Sequence, residues 1–194
     1  MSFSAKLAPR RMIMKKHLVT SLIPVLSAVV VQIVLAAGFF KIGEHAPAFS
    51  LSSITGDPIS MDSLKGKVVV LGLFHICDPC MAQGTNLQKV HEAMKGKNVA
   101  VIGVNSAGNS KRDVGEFLSA FPVRVTYPYL LDPNKITDKL YGGGKFIPNV
   151  YVIDQSGIIR WQRVGNMDLA GSETIIQEIE KLLAADADKS SGSM

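Results

Sequence analysis

Two cysteines, Cys77 and Cys80, stand two residues apart in the stretch FHICDPCMAQ, and the 194-residue chain has no others. Three chemistries fit this spacing: a dithiol that exchanges with other disulfides, half of a metal site, or two small buried residues. The elements around the pair must decide between them. Before it, KVVVLGLF (Lys67 to Phe74) is a continuous apolar, β-branched run, the pattern of a strand buried on both faces. After it, Cys80, Gln83, Leu87, Val90 and Met94 recur at three- and four-residue spacing, which predicts one face of a helix. Gly84 inside that helix costs up to about 1 kcal/mol relative to alanine.

The cysteines are thus expected where a buried strand ends and a helix begins. A helix N-terminus presents unpaired N–H groups and the positive end of its dipole, which favour a thiolate over a thiol. Cys77 is expected to be the outer, attacking sulfur. Cys80, one turn on and facing the core, is expected to resolve the mixed disulfide by intramolecular attack. Pro79 falls in the first turn, where a missing N–H is tolerated. Asp78 acts against the Cys77 thiolate, which leans the couple toward reduction of substrates rather than oxidation.

Metal and cofactor chemistry fit less well. His75 and His91 could join the cysteines as zinc ligands, but the spacing lacks a second downstream histidine. No histidine follows His91, as copper delivery would want, and Met81 after Cys80 breaks a C-x-x-C-H haem motif. No metal and no cofactor beyond the Cys77–Cys80 couple itself is expected. YGGGK lies between a short helix and a strand, the wrong context for a phosphate loop. Trp161 reads as a packing residue in a strand.

Elsewhere the pattern is that of one α/β domain. FSLSSITGDPISMDSL places Gly56-Asp57-Pro58 between two short alternating runs, an N-terminal hairpin. NVAVIGVN (Asn98 to Asn105) is a second buried strand. Ser110 and Asp113 open a helix as a capping box, with Val114, Phe117, Leu118 and Phe121 as its stripe and Pro122 as its stop. Asp132-Pro133 is expected to cap a short helix ending at Gly142–Gly144. NVYVIDQSGIIRWQRVG reads as a hairpin turning at Asp154–Gly157. Ser172 begins a last helix with Ile175, Ile176, Ile179, Leu182 and Leu183 on one side. This order gives a mixed sheet covered by helices, a three-layer α/β/α sandwich with an N-terminal β-hairpin extension, over 41–185. A disordered tail is expected over 186–194.

The first 40 residues differ. They hold no Asp or Glu, and Lys6, Arg10, Arg11, Lys15 and Lys16 precede an uncharged run from Leu18 to Phe40. That run reaches the roughly 20 residues a helix needs to cross a bilayer. The basic flank orients its N-terminus to the cytoplasm and exports the rest. Residues 1–40 are therefore expected to be a basic arm plus a signal or anchor helix, with a retained anchor favoured over cleavage near Ala36 and Ala37. The remaining domain carries sixteen basic against sixteen acidic residues, so no nucleic-acid footprint is expected despite a net charge of +5. Outside the cytoplasm disulfides form and persist, so a lone pair there is expected to be a disulfide, a catalytic couple or a metal clip.

CDPC after a buried strand, KFIPNVYVIDQSGIIR, and IGEHAPAFSLSSITGDPISMDSLKGKVVVL together resemble the TlpA/ResA-type, AhpC/TSA-related thiol–disulfide oxidoreductases of the thioredoxin fold, over about residues 42–184. The resemblance implies that Pro148 is a cis proline lying against the CxxC. It also implies that the backbone of Ile147 pairs with an extended substrate chain. It further implies protein disulfides or dithiols as substrates, a membrane electron donor of the DsbD/CcdA type, and a link to cytochrome c maturation. Two positions depart from the pattern: Ile76 stands where many relatives carry tryptophan, and Gln83 where some carry a glutamate that accepts a proton. Two other functions stay open: a non-catalytic binding module with a structural disulfide, and a peroxiredoxin-like peroxidase. The latter needs Thr and Pro three and seven residues before its cysteine, where this chain has Phe74 and Val70, or Cys77 and Leu73.

Overall fold

The structure, a computed structural model, describes residues 42–141, 146–165 and 171–191. The expected leader over 1–40 and the Gly142–Gly144 run lie outside the described residues. Seven strands form one mixed sheet: β1 (Ser50–Ser53), β2 (Pro58–Ser60), β3 (Val68–Phe74), β4 (Val99–Asn105), β5 (Tyr129–Leu131), β6 (Asn149–Ile153) and β7 (Ile159–Val164), in the order β2-β1-β5-β4-β3-β6-β7. The central pairs β3–β4 and β4–β5 are parallel, and the other pairings are antiparallel. The helices are α1 (Asp78–Ala93), α2 (Lys111–Ser119), α3 (Ile136–Tyr141) and α4 (Ser172–Ser191).

Every residue of β3 is buried, as its unbroken apolar run predicts for a central strand covered on both sides. Its side chains alternate between two cores. Val68, Val70 and Phe74 join a cluster with Leu87 and Val90 of α1, Val114 and Phe117 of α2, and Ile175 and Ile179 of α4. Val69, Leu71 and Leu73 join a second cluster with Phe49, Leu64, Tyr151 and Tyr141 of α3. The layers are thus uneven: three helices supply one core, while a short helix and the segment around β1 supply the other.

Gly84 explains itself in this packing. A Cβ there would lie 2.7 Å from the ring of Phe121 and 3.1 Å from the hydroxyl of Tyr127. That hydroxyl donates to the Gly84 carbonyl at 3.1 Å. The glycine lets α1 approach the chain leading into β5.

Three sequence expectations need correction. Strand β5 was not anticipated, because its three residues are too few for a periodic signal and lie between Pro128 and Pro133. Asp132 caps α3 from four residues ahead rather than from the adjacent position. Lys135 has φ 54°, so the helix begins only at Ile136. The Asp132 carboxylate accepts from Ile136 N (2.9 Å), Thr137 N (2.6 Å) and Thr137 Oγ1 (2.6 Å). Finally, α4 continues to Ser191, into the stretch 186–194 expected as a disordered tail. The alanines at 184, 185 and 187 favour that continuation.

Candidate active site

The sheet register gathers the chemistry-bearing segments at one edge. Phe74 pairs with Asn105, and Leu73 pairs antiparallel with Asn149. The residues leaving β3 and β4 therefore meet those entering β6. Ser106 N donates to Phe74 O at 3.0 Å and closes the edge. The turn His75–Cys77, the Ile147–Pro148 pair and Ser106 all follow from that register.

Cys77 is the N-cap of α1, with extended backbone (φ −159°, ψ 155°), and its Sγ accepts from Cys80 N at 3.3 Å. The sulfur thus takes the place a capping oxygen usually holds, against the helix's unpaired donors. Pro79 lies within the first two positions of α1, where no N–H is required. Cys77 and Cys80 are joined in a disulfide with a Cα–Cα distance of 5.1 Å. Their exposures differ: Cys77 is half-buried, whereas Cys80 is wholly enclosed. Cys80 Sγ accepts from His75 N at 3.4 Å. A reagent from solution can reach only the first sulfur.

The other expected site residues fall as follows. Asp78 is exposed, so solvent weakens its field on Cys77. Gln83 is buried one turn beyond Cys80, on the same face of α1. The Ile147–Pro148 peptide is cis, Pro148 is buried, and Ile147 packs at the junction of both cores. Pro148 O accepts from Gly165 N at 2.9 Å, tying this segment to the end of β7. Ile76 and Phe146, each next to a site residue, are large apolar side chains left 41% and 48% exposed. Trp161 packs against the α1-side core.

His91 stacks edge-on against Tyr127 in the last turn of α1. At 1.5 Å rise per residue it lies about 20 Å from Cys77, too far to share a metal with it. Among the described residues no group of three or more His, Cys, Asp or Glu is arranged to hold a metal ion. His75, in contrast, has a partner that sequence spacing could not reveal. Its Nε2 lies 3.8 Å from Asp138 Oδ1 on α3, and that carboxylate oxygen is 3.5 Å from Ser106 Oγ. Its one legible signal is parity: His75 continues the odd series of β3, which faces the α3 side.

A profile of the AhpC/TSA family matches residues 42–162, and with it the hairpin, the CxxC turn and the cis-proline hairpin. The chain belongs to the AhpC/TSA family. It is 32% identical to the thioredoxin-like protein YneN of Bacillus subtilis over 128 residues, covering 64% of this chain and 72% of that one. It is 28% identical to the thiol-disulfide oxidoreductase ResA of Oceanobacillus iheyensis, covering 72% and 73%. The crystal structure of a DsbF homologue from Corynebacterium diphtheriae superposes with a TM-score of 0.61 at 28% identity, covering 75% of this chain and 92% of that one. These likenesses accord with the thioredoxin-like α/β fold and with a helix-capping disulfide. This AhpC/TSA protein is a thiol–disulfide oxidoreductase. Among its described residues, no helix is long and apolar enough to cross a membrane.

Proposed function

We propose that the protein is a membrane-tethered, extracytoplasmic reductase of protein disulfides. The observation that carries this reading is the asymmetry of the couple, a half-exposed Cys77 at a helix N-terminus and an enclosed Cys80. In the reduced protein the Cys77 thiolate attacks one sulfur of a substrate disulfide, forming a mixed disulfide and releasing one substrate thiolate. The Cys80 thiolate then attacks Cys77 Sγ, releasing the second substrate thiolate and regenerating the Cys77–Cys80 disulfide. A donor dithiol resets the couple by the reverse exchange. Asp78 and Pro79 tune the Cys77 end of the couple, and Gln83 its buried end, without a proton of its own to give. Ile147 and Pro148 position the substrate chain, with Ile76 and Phe146 offering apolar contact on either side.

The uncharged run Leu18–Phe40 behind a basic arm supports tethering, with the catalytic domain outside the cytoplasm. The likeness to the thiol-disulfide oxidoreductase ResA supports thiol–disulfide exchange as the activity. A DsbD/CcdA-type membrane donor and cytochrome c maturation are the setting we favour.

Insulin disulfide reduction by the full-length chain tests the activity. Turnover that disappears in Cys77→Ser, with a trapped mixed disulfide in Cys80→Ala, supports it. No turnover, together with a reduction potential well below about −300 mV, makes the disulfide structural. Cysteines trapped mostly oxidised in living cells, with disulfide formation impaired on loss of the protein, would reverse the direction.

A further inference from the structure

We propose that His75 is a redox-linked proton site: held beside Asp138, its imidazole takes up the proton that Cys77 does not retain when the Cys77–Cys80 disulfide is reduced. This rests on the exchange chemistry proposed above and concerns where its protons go.

His75 meets the two sides of the sheet with different atoms. Its backbone N–H donates to Cys80 Sγ at 3.4 Å, on the side of α1. Its side chain reaches the opposite side, where Nε2 lies 3.8 Å from Asp138 Oδ1. Covalent geometry keeps Nε2 within about 5.5 Å of the residue's own nitrogen, hence within about 9 Å of Cys80 Sγ and, one S–S bond further, about 11 Å of Cys77 Sγ. A partly buried pair at that separation is screened by salt much less than an exposed one. Nε2 is shielded from solvent and has no hydrogen-bond partner. A buried polar nitrogen left in that condition is costly, and the Asp138 carboxylate is the group it faces. Ser106 Oγ, 3.5 Å from the same carboxylate oxygen, helps hold the carboxylate in place.

The surrounding elements leave few other groups to respond. Helix α3 and the turn before it carry Asp132, Lys135, Asp138, Lys139 and Tyr141. The active-site turn and the start of α1 carry Cys77, Asp78 and Cys80. The end of β4 and its turn contribute Asn105, Ser106 and Asn109, and β6 begins with Asn149, none of which titrates in the neutral range. Of all these, only the cysteines change charge with redox state.

The balance is complete. A donor dithiol supplies two electrons and two protons, and the Cys77–Cys80 bond breaks. One proton stays on Cys80 Sγ and the other on His75 Nε2, leaving Cys77 as the attacking thiolate. Gln83, which stands where relatives can carry a proton acceptor, cannot take this part. By linkage the reverse holds too: a protonated His75 makes the disulfide easier to reduce.

The test uses the full-length chain, oxidised and reduced, with the His75 ring followed by NMR against pH. A unit charge on Cys77, about 11 Å away, changes a proton affinity roughly two- to thirteenfold across the dielectric range from water to protein surface. Reduction is therefore expected to raise the affinity of the ring about twofold or more. In His75→Gln, alkylation of Cys77 shifts to higher pH. A ring titration identical in both redox states overturns the inference, as does an alkylation profile unchanged in His75→Gln. Should that variant fail to fold, the wild-type titration alone decides. Absence of insulin turnover in the wild type would instead strike at the exchange function itself, so the two failures are distinguishable.

Discussion

Replacing Gly84 by alanine sets two physical expectations against each other. Helix propensity alone favours alanine by up to about 1 kcal/mol. The packing opposes it. The new methyl would stand 2.7 Å from Phe121 Cε1, 3.0 Å from Phe121 Cζ and 3.1 Å from the Tyr127 hydroxyl. Forcing a methyl into a filled core costs about 1–3 kcal/mol. Displacing the buried Tyr127 hydroxyl from the Gly84 carbonyl puts a further ~1–3 kcal/mol at risk. With part of each incurred, Gly84→Ala should destabilise the oxidised protein by about 2 kcal/mol. For a domain of this size that is a fall in Tm of about 4–8 °C. Urea unfolding of wild type and variant under the same redox conditions reads the difference. Phe121→Leu in the Gly84→Ala background should recover part of it, since the leucine has no ring edge at the clash. A Gly84→Ala protein as stable as wild type, or more so, would refute the claim that close approach rather than chance keeps glycine there.

Asp132→Ala removes the acceptor of three short bonds from Ile136 and Thr137 and should cost about 2–4 kcal/mol in urea unfolding, with loss of protection of the α3 amides in hydrogen exchange. For Asp154, burial pushes the carboxyl pKa up, but bonds from Ile158 N, Arg160 and Ser156 N outweigh it and hold it below its ordinary 3.8. Its contribution is therefore present above that value and lost as pH falls through the folded midpoint. Asp154→Ala should be about 1–3 kcal/mol less stable than wild type at pH 7, and the two should converge in acid. Burial also lowers the pKa of His91, with Lys95 adding to the effect and Glu92 opposing it. The unfolded chain then binds the proton more readily, so stability should fall as pH drops below the ordinary histidine value of 6.5. Thermal melts of His91→Gln between pH 7.5 and 5 should show a shallower decline than wild type.

Much of this molecule is written in local patterns. The burial of β3 on both faces was legible because a strand with two covered sides has no polar positions to spare. The CxxC at the strand-to-helix junction was legible because a change from continuous to three/four periodicity marks it. The cis bond at Pro148 was suggested by family likeness and not by any local pattern. What stayed hidden is non-local or short. Strand β5 exists because Tyr129–Leu131 fill a space beside β4, which no window of three residues reveals. The start of α3 depends on Lys135 adopting a positive φ, and that displaces the cap from its usual spacing. The meeting of His75 with Asp138 depends on which face of the sheet α3 covers. Layer order told that both faces would be covered, but not that three helices would share one.

The full enclosure of Cys80 has a kinetic meaning. A sulfur with no path to solvent cannot be captured by a passing thiol, a metal or an oxidant while the fold is intact. The only sulfur that can collide with it is Cys77. Every mixed disulfide the protein forms must therefore sit on Cys77, and each has an exit already in place. The protein's own release from a partner is then set within one turn of α1, while small thiols from outside can act only at Cys77 or at the partner's sulfur.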